Sequence, residues 1–171
     1  MEGITFIEDV IDNPSGLYVL LDKSVDWDTR MKARKTASYG VAYNYSQMSY
    51  AEREFLPELK LLIDLIEKNI GFKPNNCLIN FYADGKSTMG WHSDQIDILN
   101  DETGVAILSL GDTRSLRFRE ISNKENKINY LLPAGSLIYM TQQVQKLWQH
   151  SVPKAPDCKG RMSLTFRSMK Q

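Results

Sequence analysis

The chain has 171 residues, with 21 Lys and Arg against 21 Asp and Glu, two His and two Cys. That length suffices for one domain with its own core, and the balanced charge by itself points to no polyanionic partner. Two cysteines, Cys77 and Cys158, without a CxxC spacing suggest no disulfide framework and fit a reducing compartment.

The opening "MEGITFIEDV" lacks the basic start and apolar run of a secretory leader, and no stretch reaches the ~20 apolar residues of a membrane span. An intracellular, cytoplasmic or nuclear monomer with no membrane association is expected. The basic "RMKARK" (30–35) then precedes "ASYGVAYNYS", in which Tyr39, Val41, Tyr43 and Tyr45 alternate as on one face of a strand. "SYAE" (49–52) resembles a capping box, but Pro57 follows too soon for one continuous helix, so a short turn is predicted there. Pro57 suits a first helical position, and Leu59, Leu62, Ile63, Ile66 and Ile70 follow helical spacing up to Gly71, a fitting C′ glycine. The spacing predicts a helix over 57–70.

After Pro74 come short runs rich in Ile, Leu, Tyr and Phe: "CLINFYA", "VAILSL", "SLRFREI", "INYLLP", "SLIYM", "LWQHSV" and "MSLTFRS". Gly and Asp pairs separate them, and "SNKENK" reads as a polar hairpin tip. This pattern predicts a mainly β protein with a flanking helix, a sandwich or barrel of the α+β class. From Lys146 onward six Lys and Arg stand against one acid, Asp157.

Chemistry enters at "WHSD". In an extended segment, residues i and i+2 point to one face roughly 6.5 Å apart, so His92 and Asp94 can aim an imidazole and a carboxylate at a common point. The other histidine, His150, lies in "LWQHSV". Two histidines and a carboxylate on one face leave about three coordination positions open, the ligand set of non-haem Fe(II) oxygenases. Zinc competes, because hydrolases use the same donors.

In "RMSLTFR" the strand period puts Arg161, Ser163, Thr165 and Arg167 on one face and Met162, Leu164 and Phe166 on the other. The two arginines are roughly 20 Å apart at the backbone, so side chains bending inward leave a gap suited to a short dicarboxylate, which guanidinium binds in bidentate fashion. Asn80 and Tyr82 in "INFY" offer an amide and a phenol on another shared face.

From about Arg34 to Met169 the sequence resembles the AlkB family of Fe(II)- and 2-oxoglutarate-dependent dioxygenases. The motifs that carry the likeness are the Asn-x-Tyr of "INFY", "WHSD", "WQHSVPK" and "RMSLTFR", with "ILSLGDTRSLRFR" and "LPAGSLIYM" as connecting strands. The resemblance implies a double-stranded β-helix (jelly-roll) core over 76–169, a supporting helix over 57–70 and a nucleotide-recognition lid over about 30–55, all within one domain spanning 1–171. It implies that His92, Asp94 and His150 bind Fe(II). Arg167 and Asn80 would hold the C1 carboxylate of 2-oxoglutarate, and Tyr82, Arg161 and Ser163 the far carboxylate. Oxygen would then be used to decarboxylate the cosubstrate to succinate and hydroxylate a C–H bond, and an N-methyl target would release formaldehyde.

The resemblance also makes alkylated DNA or RNA the expected partner, with Tyr39, Tyr43 and Tyr45 as substrate-binding residues and Tyr45 as the stacking residue opposite His92. One departure stands out. Family members that repair alkylated bases tend to carry an acid two places beyond the Asp, where this chain has Ile96; Asp97 follows one step later. Asp97 substitutes through a local bulge, or the target is not a cationic base. Two other readings stay open: the same chemistry on a small metabolite or protein side chain, and a non-catalytic nucleic-acid-binding module.

Overall fold

Helix formation in this chain follows its end residues. Helix α1 (Pro14–Ser24) starts with Pro14 in its first turn and Asn13 as N-cap, whose side-chain oxygen accepts from the Gly16 N–H at 3.1 Å. Helix α2 (Pro57–Ile70) starts on Pro57 and stops at Gly71, which takes φ 93° while its N–H donates to the Glu67 carbonyl. The predicted helix 57–70 therefore forms with the predicted ends. Helix α1 has no counterpart among the sequence expectations; it packs Leu21 into the core.

The computed structural model describes every residue except Ser46, and the side chain of Tyr45 also lies outside the described residues. Six strands form one antiparallel sheet: β1 (Ile4–Ile7), β2 (Lys35–Gly40), β5 (Asn76–Tyr82), β7 (Val105–Gly111), β10 (Leu137–Met140) and β12 (Arg161–Arg167), in the order β1-β10-β7-β12-β5-β2. Four form the second: β6 (Met89–His92), β8 (Arg114–Glu120), β9 (Lys127–Leu132) and β11 (Trp148–Val152), in the order β6-β11-β8-β9. A hairpin of β3 (Tyr43–Tyr45) and β4 (Met48–Tyr50) stands apart from both, and a short helix α3 (Gln142–Leu147) leads into β11. "SNKENK" is the tip between β8 and β9, as its polarity suggests. "SYAE" is not a turn: Ser49 and Tyr50 pair within β4.

Strand parity divides the interior into two layers. Cys77, Ile79 and Phe81 of β5, Ala106, Leu108 and Leu110 of β7, and Met162, Leu164 and Phe166 of β12 face Leu21 of α1 and Leu59, Leu62, Ile63 and Ile66 of α2. The opposite faces of β5 and β7 meet Leu116 and Phe118 of β8, Leu132 of β9 and Val152 of β11 in a second cluster between the sheets. This is the jelly-roll sandwich, with helices on one outer face. Because α1 and α2 cover that face, the central strands are buried on both sides, and β7 reads as a nearly continuous apolar run while β5 and β12 keep polar residues on the face between the sheets. Among the described residues no helix is long and apolar enough to cross a membrane.

Candidate active site

Residues that point between the sheets from β5 and β12 are polar at one end of the sandwich, and strands β6 and β11 close over them. The β6–β11 register places His150 directly across from His92, with ring centroids 4.3 Å apart. Asp94 lies two residues beyond, in the loop after β6 rather than in an extended strand. It still reaches the same point: its Oδ1 is 3.4 Å from His92 Nε2 and 3.8 Å from His150 Nε2. One ligand atom from each of the three lies within 4.8 Å of the others.

Neighbours fix each of these groups. The Asp94 N–H donates to Gln145 Oε1 of α3 at 2.8 Å, and the hydroxyl of Ser93 donates to the Trp148 carbonyl at 2.9 Å. Arg167 donates through Nη2 to Asp94 Oδ2 at 3.2 Å. His92 Nδ1 is 2.8 Å from the Gly90 carbonyl, so that nitrogen carries a proton and Nε2 is the nitrogen turned to the cluster.

The electrostatics set the protonation states. Burial opposes the charge on Asp94, but Arg167 beside it, followed by the two histidines, holds its carboxyl well below the usual carboxylate range. Burial pulls His150 down to about 4 despite Asp94, so its ring is neutral. Burial also disfavours charging His92, but the hydrogen bond and charge of Asp94 outweigh it and raise the group. Asp94 is therefore ionised and His150 neutral, the forms in which carboxylate and imidazole bind a metal.

Away from this cluster, Asn80, Tyr82, Arg161, Ser163, Thr165 and Arg167 line one cavity together with His92, Asp94 and His150. The shared inward face of Arg161, Ser163, Thr165 and Arg167 is thus as the period-2 pattern predicts. Arg161 is 1% exposed. Its Nη2 donates to Ser109 Oγ at 3.0 Å, while its Nε and Nη1 are buried without a hydrogen-bond partner among the described residues. Burial pulls it down to about 10. A buried cation with two unused donors is costly unless an anion completes it.

A family model described as the 2OG-Fe(II) oxygenase superfamily matches residues 18–167. The chain belongs to this superfamily, in its AlkB branch. It is 34% identical over 169 residues to the rat alpha-ketoglutarate-dependent dioxygenase alkB homolog 3, covering 87% of this chain and 57% of the relative. It is 29% identical over 147 residues to human DNA oxidative demethylase ALKBH2, covering 80% and 56%. The chain thus spans little more than half the length of these curated relatives. The solved structure of OsALKBH1 superimposes with a TM-score of 0.77 at 17% identity, over 98% of this chain and 99% of that one, and shows the shared fold.

The cofactors of this AlkB branch are Fe(II) and 2-oxoglutarate, with O2, and the donor set fits them. Two imidazoles and one carboxylate converge within 4.8 Å, and the open donors of Arg161 suit a carboxylate.

The expected substrate residues fare differently. Tyr39 does not share a face with Val41 and Tyr43, because β2 ends at Gly40, whose φ is 83° and where a Cβ would collide with the Asn75 carbonyl. Tyr39 is buried against the helices, with Arg53 over its ring at 5.2 Å. Tyr43 is buried in the inter-sheet cluster with Arg167 over its ring at 4.9 Å, and it lines neither the cavity nor the cleft beside it. The expectation for Tyr45 lies outside the described residues. Asp97 sits exposed in a turn closed by the Leu99 N–H on the Ile96 carbonyl, and lines neither the cavity nor the cleft beside it; Ile96 is the inward residue.

"RMKARK" is not one solvated patch either. Arg30 pairs with Asp28, Lys35 lies 4.4 Å over the Phe81 ring, and Arg34 is buried, donating to Asn80 Oδ1 at 2.9 Å and the Thr88 carbonyl at 3.3 Å. Arg34 and Gln145 are the site-forming residues that sequence reasoning missed. The only signal for Arg34 was its place in a basic run, and Gln145 stood in a segment not recognised as helix.

Proposed function

We propose that the chain is an Fe(II)/2-oxoglutarate-dependent dioxygenase that removes methyl groups from base nitrogens of DNA or RNA as formaldehyde. The carrying observation is the convergence of His92, Asp94 and His150 beside a cavity that ends in Arg161. In this reading those three side chains hold the iron. Asn80 and Arg167 hold the near carboxylate, and Tyr82, Arg161 and Ser163 the far one. When bound, iron and 2-oxoglutarate supply oxidative chemistry coupled to decarboxylation. The chain's own residues position and shield it: Gln145 orients Asp94, Gly90 orients His92, and Leu78, Ile107 and Leu116 wall the cavity with apolar surface.

The target would enter through an open cleft of about 550 Å³ that shares His92 and Met89 with the cavity. Trp91, Met31, Met48, Arg30, Arg34 and Gln47 line it, a mixture of apolar and basic groups that suits a base with its phosphate. The stretch 30–55 supplies five of these residues and acts as the lid, 57–70 as the supporting helix and 76–169 as the core. Tyr45 is the stacking candidate on chain position alone, next to Gln47 and Met48. The names of the relatives, among them a DNA oxidative demethylase, support a nucleic-acid target.

Among the described residues lining the cleft none is acidic, so a test must offer uncharged as well as cationic methylated bases. Mass spectrometry of single- and double-stranded methylated oligonucleotides, incubated with protein, Fe(II), ascorbate and 2-oxoglutarate, should show the loss of one methylene mass per methyl. Succinate formed while every oligonucleotide stays intact would instead favour a metabolite or a protein side chain as target.

A further inference from the structure

Arg114 opens strand β8, and the parity that sends Leu116 and Phe118 between the sheets sends it inward too. It is 1% exposed and has no acidic partner among the described residues. Three backbone carbonyls take its charge instead: Nη1 donates to Asp84 at 3.1 Å, and Nη2 to Ser87 at 2.8 Å and Pro153 at 2.7 Å. Asp84 and Ser87 belong to the loop that joins β5, bearing Asn80 and Tyr82, to β6, bearing His92. Pro153 begins the loop that joins β11, bearing His150, to β12, bearing Arg161. These two loops also bind each other, through Gly85 N–H to the Cys158 carbonyl and Ala155 N–H to the Gly85 carbonyl, both at 2.9 Å.

The same guanidinium lies behind the cavity wall. Its Cζ is 5.6 Å from the Tyr82 ring centroid, on which Arg161 also sits at 5.5 Å. Two buried guanidiniums thus flank one phenol, and neither meets a carboxylate among the described residues. Their mutual repulsion contributes to lowering Arg161, after burial itself. Such an arrangement is unfavourable alone and is relieved by an anion placed at the Tyr82–Arg161 end. We propose that Arg114 is a positioning residue for the cosubstrate: it locks the two loops that join the metal-site strands to the cosubstrate strands, and its charge biases the Tyr82–Arg161 end toward a second carboxylate.

The inference rests on the 2-oxoglutarate reading above, and the test separates the two. Calorimetry on Mn(II)-loaded protein compares N-oxalylglycine, a dianion shaped like the cosubstrate, with 2-oxopentanoate, a monoanion ending in methyl. Wild type should prefer the dianion. Arg114→Gln should lose about tenfold of that preference, the scale of one unit charge acting from a neighbouring layer at an effective dielectric of about 20, while Arg114→Lys keeps most of it. If both acids weaken equally in Arg114→Gln, Arg114 is only a brace and the proposal fails. Should Arg114→Gln not fold, Arg114→Met replaces it and is judged by the same two outcomes. A wild type that binds neither acid removes the cosubstrate reading itself.

Discussion

Asp94 carries the greatest load of any residue in the site. Its carboxylate reaches both histidines and Arg167, and its N–H is held by Gln145. Replacing it with Ala should abolish turnover of every substrate and leave His92 and His150 unable to retain iron; metal analysis of the purified variant checks this, and iron bound at wild-type stoichiometry would contradict the ligand assignment. Arg167→Ala should raise the requirement for 2-oxoglutarate more than that for oligonucleotide, and unaltered cosubstrate dependence would remove Arg167 from that role. These groups were legible in the sequence because strand parity alone sends Arg161, Ser163, Thr165 and Arg167 to one side, and because the chain's two histidines had to meet to make a site. Arg34, Arg114 and Gln145 were not legible. Each acts on a residue far away in sequence, such as Arg34 on Asn80 or Gln145 on Asp94, and no local period encodes that approach.

At the scale of elements, the loop 83–88 and the loop 153–160 work as one unit, because the Gly85 backbone lies against Ala155 where a Cβ would collide with its carbonyl. Gly85→Ala should therefore destabilise the protein by about 1–3 kcal/mol, as overpacking against backbone does. Urea unfolding measures it, and an unchanged midpoint would mean that the loops can part without cost. Helix α2 was readable from its proline, its apolar stripe and its glycine, since all three signals are local. Tyr39 and Tyr43 were expected on one face because alternation was carried through Gly40. There the left-handed turn ends β2, and Asn76 Nδ2 binds the carbonyls of Tyr39 and Val41 on either side. A side-chain clamp from β5 decides the path of that segment.

Taken whole, the molecule encloses its ionisable site in a nearly neutral chain, so pH acts mainly through buried groups. His150 sits below its ordinary 6.5, at about 4, so in that window the folded state binds fewer protons than the unfolded chain. Stability therefore rises with pH there and is lost as pH falls from 6.5 toward 4, by on the order of a few kcal/mol. His92, raised, works in the opposite sense, its contribution fading as pH rises through its elevated value. Metal-free wild type should thus lose more stability than His150→Gln between about pH 7 and about pH 5, and equal losses by urea titration would refute the buried neutral ring. The strand runs after Pro74 were legible one by one, but not the order β1-β10-β7-β12-β5-β2, which depends on long-range pairing.

The most direct measurement is an anaerobic titration with Fe(II) and 2-oxoglutarate, followed by visible absorption. Chelation of the keto acid to iron held by His92, Asp94 and His150 predicts a charge-transfer band that requires both components and vanishes in His92→Ala and Asp94→Ala. No band in the wild type, or the same band in both variants, would contradict it.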